Sequence, residues 1–176
     1  MFTKNYKELF KIFTNYTSGN YSTLRTAMAS GMKTVAGVSY SDQIDCTSSS
    51  TYASVITAGA AEFINQITFK TNNSNSMGFI SCYKSSYAED DYAKETQIGT
   101  LTTSVDNNGL YITVSNGNST DITINTIQVI MKLKERGAST TTEFLMAEFE
   151  LGDTTIPSGQ SKTWVIKPVF NAVQVS

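Results

Sequence analysis

Few side chains in this sequence could do chemistry. No histidine occurs among its 176 residues. That removes the imidazole which Ser-His-Asp and Cys-His nucleophile systems use as their base. The two cysteines, Cys46 and Cys82, stand far apart. Without histidine they cannot supply the three or four ligands of a common zinc site. A disulfide framework would need more cysteines at regular spacing, so both are expected as free thiols. No glycine-rich phosphate loop and no G-x-G-x-x-G is present. One carboxylate cluster remains, Glu89, Asp90, Asp91 and Glu95. Calcium takes several oxygens from a flexible loop, but the spacing departs from the helix-loop-helix pattern, and a solvated acidic loop is expected. Two carboxylates about 5–10 Å apart could also hydrolyse a glycoside, a separation that sequence does not specify. Trp164 and the nine tyrosines could form a sugar-binding platform. Trp164 lies beside Val165 and Ile166, however, a pattern that points to packing within a strand. The expectation is a non-enzymatic chain with no metal and no cofactor.

Charge and composition limit the partners. The 13 basic and 15 acidic residues are scattered and leave a net charge of −2. A nucleic-acid binder clusters its Lys and Arg to neutralise phosphates, so nucleic acid is not an expected partner. No apolar run approaches the ~18 residues of a membrane helix, and no membrane contact is expected. Lys7, Glu8 and Lys11 interrupt the apolar residues near the start, so a signal peptide is not expected either. Counting gives 21 Ser, 25 Thr and 13 Asn. Threonine suits the pleated face of a strand and asparagine suits turns, which points to a β-protein.

The elements follow from periodicity. Phe2, Tyr6, Leu9, Phe10 and Phe13 recur at helical spacing with Lys4, Lys7, Glu8 and Lys11 between them. Thr3 can cap this amphipathic helix, and the polar cluster at residues 15–19 ends it. Its aromatic face either packs on the chain's own sheet or docks into a neighbouring subunit. Phe2, Tyr6, Phe10 and Phe13 are the candidate subunit contact. Residues 21–60 show only broken patterns and are expected as an irregular arm, so residues 1–60 divide from a β-domain over 61–176.

From residue 61 onward about seven strands are expected. They fall near 61–69, 77–84, 98–105, 110–115, 121–134, 142–151 and 161–170. Asp106-Asn107-Asn108-Gly109, Asn116-Gly117-Asn118-Ser119 and Ile156-Pro157-Ser158-Gly159-Gln160 are turn signals. Within 121–134, Ile122 and Ile124 share one parity, while Ile127, Val129, Met131 and Leu133 share the other. A β-bulge near Asn125 and Thr126 would produce this slip. The spacing predicts a mainly β chain, an antiparallel β-sandwich with an N-terminal amphipathic helix.

Residues 107–170 also resemble a β-domain that recurs in bacteriophage virion proteins. The likeness lies in the strand Asp121-Ile122-Thr123-Ile124-Asn125-Thr126-Ile127 and the turn Ile156-Pro157-Ser158-Gly159-Gln160-Ser161 leading into a closing strand. Where that pattern continues as Glu-Ile-Gly-Leu, this chain has Thr126-Ile127-Gln128-Val129. The opening Met1-Phe2-Thr3-Lys4-Asn5-Tyr6 is similar to the start of phage structural proteins. The resemblance implies a tail, collar, fibre or capsid-associated protein, located in the virion and made in the bacterial host cytoplasm. Its implied partners are copies of itself and other virion proteins, and it carries over no catalytic residues. The alternative is a glycan- or receptor-binding module with Trp164 as its ligand-facing aromatic.

Overall fold

The computed structural model describes residues 1, 3–8, 31–40, 76–88, 90–106, 109–134 and 140–166. The chain is mainly β. Six strands occur among the described residues: β1 (Ser76–Cys82), β2 (Thr100–Asp106), β3 (Gly109–Ser115), β4 (Ile122–Lys134), β5 (Thr141–Ile156) and β6 (Ser161–Ile166). They form two three-stranded antiparallel sheets, ordered β1-β4-β5 and β2-β3-β6. Six strands therefore stand where seven are expected; the strand anticipated at 61–69 lies outside the described residues. Residues 4–8 are helical, at the start of the anticipated helix. Its anticipated continuation also lies outside the described residues.

Strand parity explains the core. On β3, Leu110, Ile112 and Val114 are buried while Tyr111, Thr113 and Ser115 are partly exposed, the alternation of a strand with one covered face. The buried three pack with Ile122, Ile124 and Ile127 of β4 and Ile156 of β5, so residues of both sheets share this cluster. Each fully buried isoleucine contributes roughly 1.5–3 kcal/mol. The β2–β3 hairpin sets Asp106 opposite Gly109. Gly109 has φ +144°, and a Cβ there would stand 2.6 Å from the Ile166 carbonyl oxygen. Only glycine lets β6 approach so closely.

The centre of β4 departs from alternation. Residues 124–131 are all buried, so both faces of the β1-β4-β5 sheet are covered there. Ile80, Cys82, Ile130 and Leu145 form a second buried cluster with Val35 packed on it. This cluster lies on the opposite side of the sheet from Ile127, as the register Ile80↔Gln128 and Ser81↔Ile127 requires. The expected bulge is present: Asn125 has no register partner and faces residues 151–153 between the pairs Ile124↔Thr154 and Thr126↔Glu150. A loop is expected to begin at Gly152, but β5 runs on to Ile156. Ile122–Ile124 supplies the pairing, and Gly152 at φ +69° accommodates the bulge.

Two short N-terminal segments attach to the free side of β5. Thr3 N–H donates to Met146 O at 3.0 Å, Glu148 N–H donates to Met1 O at 2.8 Å, and Val35 N–H donates to Glu143 O at 3.0 Å. These bonds satisfy backbone groups that an open edge would leave for another chain.

Candidate functional site

The concentration of polar chemistry lies on the face of the β1-β4-β5 sheet turned away from the shared core. It begins where β1 ends. Lys84, two residues beyond β1, has no strand partner, and the Asn125 side chain takes that place. Its Oδ1 accepts the Lys84 N–H at 2.8 Å, and its Nδ2 donates to the Lys84 carbonyl at 2.7 Å. The bulge frees Asn125 for this role, and its primary amide carries the same donor and acceptor as a peptide group. Asn5 repeats the device at Lys33, accepting its N–H at 2.8 Å and donating to its carbonyl at 2.8 Å.

Held in this way, Lys84 extends its ammonium over β4 to Glu148 of β5. Nζ lies 2.5 Å from Glu148 Oε1 and also bonds Asp91 Oδ2. The side chains are 3 % exposed at Lys84, 0 % at Glu148 and 24 % at Asp91. Gln128 completes the arrangement: its Nε2 donates to Glu148 Oε1 and to the Ala93 carbonyl, each at 2.9 Å, while its Oε1 accepts the Glu95 N–H at 2.8 Å. The Tyr87 and Thr126 hydroxyls share a hydrogen bond of 2.6 Å, and the Tyr87 ring centroid lies 5.7 Å from Lys84 Nζ. Residues 83–88 and 90–98 are thus fastened over the sheet by polar groups, and this explains why Thr126, Gln128 and Glu148 are buried. Glu148 Oε2 is buried with no hydrogen-bond partner among the described residues.

The charges are set by these contacts. Burial works against the Lys84 ammonium, but hydrogen bonds to Asp91 and Glu148 outweigh it and raise its pKa above the ordinary lysine value. Burial likewise acts to raise Asp91, yet the Lys84 hydrogen bond and the Ala93 N–H prevail and hold its carboxyl below the ordinary value. Asp91 is therefore an ion-paired latch of the segment, and not part of a solvated acidic loop. Asp90 is exposed, and Glu89 lies outside the described residues. No group of three or more His, Cys, Asp or Glu able to hold a metal occurs among the described residues.

Cys82 is a free, fully buried thiol on this same face. Burial, and then the charges of Glu95 and Glu148, push its pKa up to about 12, which keeps the thiol protonated at neutral pH. Cys46 lies outside the described residues.

The residues singled out from sequence sit elsewhere. Tyr6 is half-buried within the helical residues 4–8, where burial raises its phenol pKa. Phe2, Phe10 and Phe13 lie outside the described residues. Trp164 is partly buried, packs against the shared core cluster, and has Lys162 Nζ 5.4 Å from its ring centroid. Periodicity did not single out the Lys84–Glu148 pair. Its signal was a charge inside the apolar run Phe144-Leu145-Met146-Ala147-Glu148-Phe149, and an amide inside Ile127-Gln128-Val129. A buried charge needs a partner, but sequence does not say which. No family model, curated protein or solved structure matches the chain.

Proposed function

We propose that the two sheets close as a β-sandwich and that the chain is a non-enzymatic virion structural protein of a bacteriophage, acting through subunit–subunit contacts. The observation that carries the assembly part is the β2-β3-β6 sheet. β2 and β6 are each hydrogen-bonded on one side only among the described residues. The register lines up Thr100, Ser115 and Ser161, then Thr102, Thr113 and Thr163, then Ser104, Tyr111 and Val165 across the outward face. None of these nine residues is charged, and Val165 is 43 % exposed. Hydroxyl pairs brace the rows, Thr113 with Thr163 and Ser161 with Ser115, each at 2.8 Å. These nine uncharged, braced positions, between two edges unpaired among the described residues, suit strand addition or face-to-face burial by another copy of the chain. The bacteriophage part rests on the resemblance of residues 107–170 and of the opening residues. The glycan-binding alternative draws less support, because Trp164 gives part of its ring to the core.

The test is the solution mass of the purified chain by light scattering across a concentration series. A discrete multiple of 19.2 kDa is expected, and Val165→Lys, placed on the uncharged face, should return it to monomer. A monomer at every concentration would overturn the assembly reading.

A further inference from the structure

We propose that Lys84 and Asp91 form an intramolecular amide bond, with Glu148 as the proton carrier. The structure brings together the three groups such a reaction requires: an amine, a carboxyl in contact with it, and a second, buried carboxyl touching the amine. Lys84 Nζ contacts Asp91 Oδ2 and lies 2.5 Å from Glu148 Oε1. The Asn125 clamp fixes the lysine backbone, and Gln128 Nε2 fixes the Glu148 carboxylate at 2.9 Å. The other oxygen of Asp91 accepts the Ala93 N–H at 2.9 Å. A backbone donor therefore stands where negative charge would develop on a tetrahedral intermediate. Glu148 Oε2 is fully buried and has no partner among the described residues, so this carboxylate has a free site to hold a proton. Holding reacting atoms in contact makes the step unimolecular and replaces the activated ester that amide formation needs in bulk water.

The balance needs no external reagent. The Lys84 ammonium gives a proton to Glu148, and its lone pair attacks Cγ of Asp91, forming the C–N bond. Glu148 passes that proton to Asp91 Oδ2, then carries a second from the nitrogen to the same oxygen. The Cγ–Oδ2 bond breaks and water leaves. Of the three ammonium protons, two depart in the water and one stays on the amide nitrogen; nothing is oxidised or reduced. The charged pair is the resting form, since its contacts favour ammonium over amine and carboxylate over acid. Conversion is therefore slow and accumulates after folding.

The experiment is the intact mass of the full chain, denatured after incubation at neutral pH for increasing times. The expected result is a species lighter by one water, rising with time, with fragmentation placing the link between residues 84 and 91. Lys84→Arg should show no loss. Asp91→Asn should lose ammonia in place of water. Glu148→Gln, with its fold checked by circular dichroism, should slow conversion at least ~100-fold, the scale of one general acid–base group. An unchanged wild-type mass at long times would overturn the proposal. So would a water lost at another site, or a folded Glu148→Gln chain that converts at the wild-type rate. None of these readouts depends on oligomeric state, so this proposal and the assembly reading fail separately.

Discussion

Replacing Asn125 by aspartate tests whether the amide clamp organises this face. The two side chains share a shape, so the change swaps Nδ2 for an oxygen and adds a charge. Asn125 is 7 % exposed. Its Nδ2 now donates to Lys84 O at 2.7 Å and to Asp153 Oδ1 at 3.3 Å. After Asn125→Asp, an anionic oxygen would face two acceptors. Leaving the Lys84 carbonyl unsatisfied costs about 1–3 kcal/mol. Repulsion from Asp153 adds about 1–2 kcal/mol, because that exposed side chain can swing into solvent and is screened. The two terms sum to about 2–5 kcal/mol at pH 7–8, with a central value of about 3–4 kcal/mol.

The pH dependence gives the sharper test. Protonating the introduced carboxyl restores a donor to the Lys84 carbonyl. A penalty of about 3–4 kcal/mol corresponds to a carboxyl raised by roughly 2–3 pKa units in the folded state. A group raised on folding keeps its stability below its unfolded pKa and loses it as pH rises through the folded one. The variant should therefore approach wild type near pH 4 and fall away between about pH 5 and 7. Urea denaturation of both chains at several pH values reads this directly, and Asn125→Ala supplies a pH-independent control. A difference under about 1 kcal/mol at pH 7–8, or one flat with pH, would refute the clamp.

Two further outcomes follow from groups near the same face. Glu143 bonds Lys94 at 2.7 Å and Lys132 at 3.1 Å; burial acts to raise its pKa, but the two lysines prevail and lower it. Both lysines are more than a third exposed, so Glu143→Gln should cost only about 0.5–1 kcal/mol at pH 7. A carboxyl lowered on folding contributes stability above its unfolded pKa and loses it as pH falls through the folded one. The variant and wild type should therefore converge in acid, and a gap that widens in urea titrations below pH 4 would contradict the pairing. Cys82, with its pKa near 12 and no exposure, should resist alkylation at pH 8 until the chain unfolds. Peptide mapping after iodoacetamide treatment checks this, and labelling of Cys82 in native buffer as fast as in urea would contradict it.

Much of the β architecture was legible in the sequence because it is local. The run Leu110–Ser115 between two turn signals marked β3. The change of parity between Ile124 and Ile127 marked a bulge at Asn125, because a strand cannot shift parity without one. The extent of β5 was not legible: Gly152 and Asp153 carry turn chemistry, and only Ile122–Ile124, three decades of sequence earlier, gives Thr154–Ile156 its partner. The second covered face of β4 was equally hidden. Thr126 and Gln128 look like the solvent side of an ordinary strand until residues 83–88 and 90–98 lie over them. Parity is a property of neighbours along the chain, and sequence alone fixes it. Which charge meets which is not: Glu148 finds Lys84 across a sequence separation of 64, and only the folded sheet brings them together.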